Sequence, residues 1–522
     1  MKRRQFLRKS ATAASVPFLL GGIPLTALGR NQQLEALTAG AEDRVLVLIQ
    51  LNGGNDGLNT VIPLDQYSTL STARSNILIP ETQALNLTTE TALHPSMAPI
   101  KGLYDNAKVG IIQSVGYPDP NFSHFRSTDI WTSGSPATET WETGWLGRVL
   151  DMDHPNYPDG YPNATHPDPL AVTIGSVVST TCQGASTNLG MAINDPAAFQ
   201  QLLNGGTAPA PNTPYGDELT YLRQTMNATN QYLSVIQNAD SNGNNLTTLY
   251  DANPSRLGEQ LKIVSRLISG GLQTKIFIVS MGGYDTHANQ ADPSNPVTGE
   301  HADLLTELST AVEAFQDDLQ LLGIADRVLA MTFSEFGRRI ASNDSDGTDH
   351  GAAAPLLLIG NKVNPQILGS NPIIPAVVDP KDSLPMQYDF RSVYGSVLMD
   401  WFCIPEATVK NLLFEDFQHL PILTSNCFNT SAEFAGEEQL VLAQNFPNPF
   451  VDSTRIRFES QGGEVLLQLF DGRGSQIATL ANQYFAAGSH EVAVDGAELS
   501  SGVYYCRMQH RNQTASIMLV RQ

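Results

Sequence analysis

Residues 41–430 alternate continuous apolar runs with longer segments in which apolar residues recur at helical spacing. The first run, VLVLIQL at 45–51, shows no polar alternation, which is typical of a strand covered on both faces. Similar runs follow at 108–116, 275–283, 327–337 and 354–360. Strands alternating with helices in this way predict an α/β body built on a doubly wound, mostly parallel sheet.

The longest predicted helix lies between the third and fourth strands, over residues 301–324. Its apolar face consists of Leu304, Leu308, Val312, Phe315, Leu319 and Leu322. A stripe with this spacing indicates core packing rather than a binding surface. Residues 151–215, rich in Pro, Asn, Gly and Ser, show no periodicity, and we interpret them as a long insertion over the edge of the sheet.

The pattern changes at residues 431–443, which we interpret as a linker. Six short apolar runs separated by turn signals then occupy residues 444–522 and predict a small antiparallel β-sandwich. Together with residues 1–40, discussed next, the predicted organisation is an export signal, a body at 41–430, the linker and the sandwich.

Residues 1–40 begin with basic MKRRQFLRKS and continue into a mildly apolar stretch rich in small residues, which is typical of an export signal. Arg3 and Arg4, followed by Phe6 and Leu7, resemble a twin-arginine signal, with an ordinary secretory signal as the alternative. No other stretch is apolar over the roughly 18 residues of a membrane span. We expect export to the periplasm and then to the cell surface or medium, without a transmembrane span in the mature protein.

The composition argues against a nucleic-acid partner and permits a disulfide bond. The 522 residues carry a formal net charge of -22, which argues against nucleic acid because phosphates require basic surfaces. Four cysteines in an exported chain permit a disulfide, and Cys403 and Cys427 are the expected pair because they are close within one domain. No Cys/His zinc spacing is present.

Polar clusters stand at the ends of the predicted strands. They supply Asp56 after the first strand, Ser123 and His124 after the second, Asp285 and His287 after the third, Glu335 at the end of the fourth and His350 before the fifth. Because the carboxyl ends of parallel strands share one edge, these side chains are expected to meet there.

Imidazoles together with carboxylates suit a transition metal. The predicted ligands are Asp56, Asp285, His287, Glu335 and His350. Zinc is the preferred divalent ion, with manganese, magnesium and calcium as alternatives. Such an ion lowers the pKa of a water or hydroxyl and neutralises a transferring phosphoryl or sulfuryl group. Ser123, at a helix amino terminus, would suit a nucleophile facing an anionic ester.

Each of these residues also has a structural alternative. Asp56 and Ser123 could be helix caps, and the histidines could be hydrogen-bonded loop residues. Glu335 could pair only with Arg338 or Arg339. The segment SNDSDGTDH, with Asp344, Asp346 and Asp349, lacks the closing glutamate of a calcium-binding EF-hand loop, and we interpret it as a solvated loop.

Two sets of motifs resemble known families. LNGGNDGLNTVIP, GYPDPNFSHFRSTDIWTSG, GGYDTHANQ, FSEFGRR and DHGAAAPLLLIG resemble the DUF1501 family, which is similar in turn to the alkaline phosphatase and sulfatase superfamily. QNFPNPF, LFDGRG and LSSGVYYCRM resemble the carboxyl-terminal sorting domain of type IX secretion in Bacteroidetes. The resemblances imply an alkaline-phosphatase-like sheet and, as partners, the twin-arginine and type IX machineries.

The superfamily resemblance implies roles for individual residues. It matches Asp56 to an aspartate after the first strand, Ser123 or His124 to the nucleophile, Asp285 and His287 to one metal, and His350 to a further ligand. Where the superfamily has consecutive Asp and His for a second metal, this chain has Glu335 and Phe336, and phenylalanine cannot bind a metal. That leaves a single site of Asp285, His287 and His350, with Asp56 and Glu335 nearby.

The expected function is a secreted, metal-dependent hydrolase of phosphate or sulfate esters. A formylglycine sulfatase is not expected, because a Cys or Ser followed by x-Pro-x-Arg is absent. The alternative is a non-catalytic cell-surface binding or assembly protein that keeps the fold, and Phe336 favours it.

Overall fold

The computed structural model describes most of the body and most of the carboxyl-terminal region. The described residues are 43–196, 229–424, 450–471, 476–497, 499–510 and 513–521, with isolated positions 19–20, 23–24, 213, 427, 442, 445 and 448. Contacts divide the chain into two units, one ending at Phe428 and one beginning at Asn429. The predicted export signal and linker lie outside the described residues, apart from positions 19–20, 23–24 and 442.

The body alternates strands and helices. Its strands are β1 (Val45–Leu51), β2 (Val61–Pro63), β3 (Leu85–Asn86), β4 (Thr91–Leu93), β5 (Val109–Gly116), β6 (Ala171–Ile174), β7 (Gly190–Ile193), β8 (Ile276–Met281), β9 (Val328–Phe333), β10 (Ala354–Ile359), β11 (Ile367–Leu368) and β12 (Tyr388–Asp389). Its helices are α1 (Gly57–Thr60), α2 (Tyr67–Ala73), α3 (Ala98–Asp105), α4 (His124–Ser133), α5 (Trp145–Asp153), α6 (described over 229–242), α7 (Leu249–Ala252), α8 (Arg256–Ser269), α9 (Glu300–Leu321), α10 (Phe390–Asp400) and α11 (Glu406–Leu412).

One large sheet has the strand order β11-β5-β10-β9-β1-β8-β6-β7, and β12 also pairs with β5. Every pairing is parallel except those of β10, which runs antiparallel to both β9 and β5. The predicted α/β class with a mostly parallel sheet is therefore confirmed. Because β10 is reversed, it begins at the edge where the parallel strands end, and this places the residues before β10 beside the residues after β1, β5, β8 and β9.

The sheet is covered by helices on both faces. Val45, Val47 and Ile49 of β1 pack in one hydrophobic cluster with α8 and α9. Leu46 and Leu48 pack in the opposite cluster with α4, α5 and α10. Since successive side chains of a strand point to opposite faces, the continuous apolar run of β1 follows directly from burial on both sides.

Two details of the body differ from the sequence analysis. Residues 151–215 were expected to be an insertion over the edge of the sheet. Instead, β6 and β7 within this range add two parallel strands to that edge. Helix α9 spans Glu300–Leu321 as expected, but Leu304 and Leu322 are only partly buried and Leu305 is fully buried instead. The other four predicted positions of its apolar face are buried.

The described residues of the carboxyl-terminal unit form four antiparallel strands rather than six. They are β13 (Ser453–Asp471), β14 (Gln476–Asp495), β15 (Gly502–His510) and β16 (Gln513–Arg521), in the order β14-β13-β15-β16. The first two predicted strands join into β13 through Gly462 and Gly463, and the next two join into β14 through Gly488. Ile456 and Leu467, from the two halves of β13, share one hydrophobic core, which indicates that the sheet bends over itself.

Two further expectations concern covalent and membrane properties. Cys403 and Cys427 form a disulfide, as expected, and Cys182 and Cys506 are free and buried. None of the helices within the described residues combines the length and the hydropathy that a membrane span needs.

Two histidines of the body are buried as neutral side chains. His301 on α9 lies with its Nε2 2.9 Å from Asn55 Oδ1, and His94 Nδ1 accepts from Ser96 N at 3.1 Å. Burial lowers the pKa of His301 to about 4 and the pKa of His94 to about 3. The folded body therefore disfavours the protonated form of both side chains.

We expect the free energy of unfolding to fall as the pH is lowered from 7 to 5. Unfolded histidines bind protons near pH 6.5 while the folded ones stay neutral, so this stability is present above that value and is lost as the pH falls toward the folded pKa values. The slope contributed by each histidine approaches about 1.4 kcal/mol per pH unit. Denaturant unfolding at several pH values measures it. His301→Gln should show a shallower slope, and an unchanged slope would contradict the assignment.

Candidate metal centre

The loop that follows β1 brings its main chain against two other loops of the site. Gly53 has a φ of 125°, and a Cβ there would lie 2.2 Å from Asp285 N. Gly54 has a φ of 85°, and a Cβ there would lie 2.4 Å from Phe336 Cε2. The buried strand therefore ends in two glycines because only glycine permits this backbone shape and this close approach.

Arg338 joins the loops around the site. Its side chain has 0% exposure, and its guanidinium donates to Gly54 O at 2.7 Å, Thr348 O at 2.8 Å, Tyr284 O at 2.8 Å, Asp285 Oδ1 at 2.8 Å and also to Gly53 O. These acceptors come from three separate loops. Arg338 thus pairs with Asp285 and not, as the sequence analysis considered, with Glu335.

His287 and His350 have their Nδ1 atoms engaged by oxygen acceptors. His350 Nδ1 lies 2.7 Å from Phe122 O, and a carbonyl oxygen can only accept, so Nδ1 carries the proton. His287 Nδ1 lies 3.0 Å from Asp349 Oδ1. Burial would raise the pKa of the Asp349 carboxyl, but hydrogen bonds from His287 and Asn343 outweigh burial and lower it. Both imidazoles, when neutral, therefore present the lone pair of Nε2.

Those two lone pairs converge on one carboxylate. His287 Nε2 lies 2.9 Å from His350 Nε2, and Asp285 Oδ1 lies 3.2 Å from the first and 3.1 Å from the second. Two unprotonated nitrogens at this distance need a proton or a cation between them. Ligand atoms at the usual 2.0–2.1 Å from a tetrahedral zinc lie about 3.3 Å from one another, so the three atoms have the spacing of a metal site.

The charge state of these groups fits a cation. Burial raises the pKa of the Asp285 carboxyl, but the hydrogen bond from Arg338 is the largest opposing effect, and the pKa falls to about 2. Burial lowers the pKa of His350, which favours the neutral ring. The side chains of Asp285 and His287 are 48% and 45% exposed, so solutes reach the site.

His124 and Glu335 stand on the other side of Asp285. His124, the first residue of α4, has its Nε2 3.4 Å from Asp285 Oδ2 and its Nδ1 2.8 Å from Glu335 Oε1. Glu335 is buried, and the same oxygen accepts from Gly53 N at 2.8 Å, so His124 Nδ1 is the donor in its contact. His124, Asp285 and His350 each offer a ligand atom within 4.8 Å of the others.

Phe336 packs against the imidazoles instead of binding an ion. Its ring centroid lies 4.5 Å from that of His350 and 5.0 Å from that of His124. Phe336 therefore packs beside two histidine rings of the site.

Asp56 lies outside this cluster, in a buried ion pair. Its Oδ2 lies 2.8 Å from Arg74 Nη1 with both side chains at most 1% exposed, and Gln290 Nε2 donates to it at 2.6 Å. Burial would raise the pKa of the Asp56 carboxyl, but the charge of Arg74 and the hydrogen bond from Gln290 oppose burial, and the pKa is lowered. The Arg74 guanidinium also donates to Ile340 O and Arg339 O, so this pair anchors α1 to the loop after β9.

Ser123 occupies the cap position of α4 without capping it. Its side chain accepts no hydrogen bond from the helix, and its own N donates to Asn121 Oδ1 at 2.9 Å. The residue is exposed at the rim.

The structure thus brings five of the seven predicted site residues into one network of contacts: His124, Asp285, His287, Glu335 and His350. Asp56 is directed away from this network, and Ser123 stands at its margin. Asp349 and Arg338 were not among the predicted site residues. Both adjoin site motifs, Asp349 directly before His350 and Arg338 three residues after Glu335, but only the fold identifies their partners.

Comparisons with known proteins support the sequence resemblances. The profile of a family described as a protein of unknown function, DUF1501, matches residues 82–377. The profile of a secretion system C-terminal sorting domain matches residues 444–521. No curated protein matches the chain.

Several solved structures are similar to the chain at low identity. A protein in the alkaline phosphatase superfamily from Vibrio parahaemolyticus is 10% identical over 65% of this chain and 72% of its own, with a TM-score of 0.29. A sulfatase from Pseudoalteromonas sp. is 10% identical over 89% and 88%, with a TM-score of 0.34. A phosphonate monoester hydrolase from Silicibacter pomeroyi is 9% identical over 91% and 89%, with a TM-score of 0.31.

Gly53→Ala is expected to destabilise the body, because its Cβ would meet the Asp285 main chain and its φ of 125° is unfavourable for alanine. Backbone strain alone costs about 1–3 kcal/mol. Gly282→Ala is the matched control, since a Cβ there meets nothing within 4 Å, and it should change stability by less than about 0.5 kcal/mol. Denaturant unfolding compares the two, and equal effects would contradict the assigned role of Gly53.

Asp56→Asn is expected to lower the free energy of unfolding by about 3 kcal/mol or more, because it leaves the buried Arg74 charge uncompensated. The Asp56→Asn protein should keep the metal content of the wild type, whereas the Asp285→Asn protein should contain less metal. Asp105→Asn, in the exposed Lys101–Asp105 pair, is the control and should cost less than about 1 kcal/mol. Loss of metal from a folded Asp56→Asn protein would restore Asp56 to the ligand set.

Proposed function

The chain belongs to the DUF1501 family, and we propose that it is a secreted, metal-dependent hydrolase of phosphate or sulfate esters. One observation carries the proposal. The Nε2 lone pairs of His287 and His350 face each other at 2.9 Å beside the Asp285 carboxylate, in a site open to solvent. Neighbouring oxygens fix both imidazoles in the tautomer that a metal requires.

Asp285, His287 and His350 form the proposed ligand set, with zinc as the preferred ion. Two imidazole nitrogens and one carboxylate favour zinc, whereas magnesium and calcium prefer all-oxygen sites, and manganese remains an alternative. We leave Asp56 and Glu335 out of the set, because each is buried and already accepts hydrogen bonds from other groups. Asp349 would act through His287 by holding its Nδ1 proton.

When bound, such an ion lowers the pKa of a water or hydroxyl and neutralises charge on a phosphoryl or sulfuryl group. The chain itself supplies the amino terminus of α4, whose first-turn amides have no acceptor within the helix and favour an anion. Either Ser123 or His124, both at this helix start, is the proposed nucleophile. The ten-residue helix and the ligand set would then both contact the anionic ester.

The second candidate function is a non-catalytic surface protein that binds an ion or glycan. Phe336 favours it, because the superfamily resemblance implies a second-metal ligand at this position and phenylalanine cannot bind a metal. Its ring packs beside His124 and His350 instead. A single ion can then be structural.

The sorting domain at the carboxyl terminus indicates export to the cell surface or medium. We propose that the chain first crosses the inner membrane through the twin-arginine machinery and then leaves the periplasm through type IX secretion. Export in the folded state would allow the ion to be loaded inside the cell.

We expect the purified full-length chain to contain a stoichiometric amount of zinc, and His287→Gln combined with His350→Gln to lose it, because two of the three ligands are removed. Elemental analysis by mass spectrometry measures this. The control is His419→Gln, whose imidazole pairs with Asp400 at the opposite end of the sheet and should not affect the metal.

The same proteins should be assayed with p-nitrophenyl phosphate and p-nitrophenyl sulfate. Hydrolysis by wild type and by His419→Gln, lost together with zinc in the double variant, supports the hydrolase. Bound zinc without hydrolysis of either ester favours the binding protein. The absence of bound metal contradicts the hydrolase and favours a surface protein that binds a glycan.

A further inference from the structure

The two carboxylate oxygens of Asp285 contact different groups of the site. Oδ1 faces His287 and His350 and accepts from Arg338, with contacts of 2.8–3.2 Å. Oδ2 lies 3.4 Å from His124 Nε2. His124 is therefore adjacent to the proposed ligand set without belonging to its three closely spaced atoms.

Glu335 fixes the orientation of His124. The carboxylate is 3% exposed, it is held by Gly53 N, and it accepts the Nδ1 proton of His124 at 2.8 Å. Phe336 packs beside the imidazole ring, at a centroid distance of 5.0 Å. The remaining lone pair is on Nε2, which lies 3.4 Å from Asp285 Oδ2, and 35% of the His124 side chain is exposed.

Ser123 has no comparable support. Its side chain makes no capping bond with α4, and no acceptor for its hydroxyl proton is found among the described residues. A serine hydroxyl needs a base to become a nucleophile, whereas a neutral imidazole already has a lone pair. The geometry at the start of α4 therefore favours the histidine over the serine.

We propose that His124 Nε2 is the covalent nucleophile and that Glu335 is its positioning residue. This inference rests on the proposed ester hydrolysis. In the first step the Nε2 lone pair forms a bond to phosphorus or sulfur. The ester P–O or S–O bond breaks, and its electron pair leaves with the alcohol oxygen, which takes a proton from solvent. In the second step water attacks, the N–P or N–S electron pair returns to Nε2, and the water proton passes to solvent.

The test is to trap the intermediate on the full-length protein with p-nitrophenyl phosphate, quench rapidly and identify the modified peptide by mass spectrometry. A phosphoryl group on His124, labile in acid and stable in alkali, is the expected result. A group on Ser123, stable in acid, would overturn the inference while leaving ester hydrolysis intact. Absence of any hydrolysis would overturn both proposals.

Two variants separate nucleophile from ligand. His124→Gln should keep its zinc but form no adduct. Its turnover should fall by at least about a thousandfold. If it loses zinc, His124 is a fourth ligand and the inference is wrong. Glu335→Gln keeps an oxygen for Gly53 N but removes the charge behind His124. It should slow adduct formation about 10- to 100-fold with KM little changed, and His419→Gln serves as the unaffected control.

An unchanged rate of adduct formation in folded Glu335→Gln would overturn the positioning role. Circular dichroism and zinc content establish that each variant is folded, so loss of structure is distinguished from loss of the nucleophile.

Discussion

The buried guanidinium of Arg338 is the interaction on which the site depends. A charged side chain with 0% exposure is stable only if its donors are all satisfied. Here the acceptors are main-chain oxygens of the loops after β1 and β8 and before β10, together with the Asp285 carboxylate. Fixing one cation in this way also fixes three loops, and the orientation of Asp285 follows from it.

Hydrogen bonds at Nδ1 orient the three imidazoles around the Asp285 carboxylate. Phe122 O, Asp349 and Glu335 each hold one Nδ1 atom, so three Nε2 atoms point inward. The reversed strand β10 is essential to this arrangement, because it delivers His350 to the edge where the parallel strands end. The position of His350 in the site thus depends on the direction of β10.

Much of this could be predicted from sequence. Continuous apolar runs identified the five long strands of the body, because burial on both faces leaves no polar alternation. Polar residues at the strand ends identified Asp285, His287 and His350. The tautomers, the role of Asp349 and the Asp56–Arg74 pair could not be predicted, because they depend on which loops meet in three dimensions. The merging of six short strands into four was also missed, since glycines that end a strand in sequence can bend one in space.

Anomalous diffraction at the zinc edge, from crystals of protein produced in metal-replete cells, tests the central claim most directly. The account predicts one strong peak bounded by Asp285 Oδ1, His287 Nε2 and His350 Nε2, with ligand distances of about 2.0–2.2 Å. No peak, or a peak held instead by Asp56 and Glu335, would contradict it.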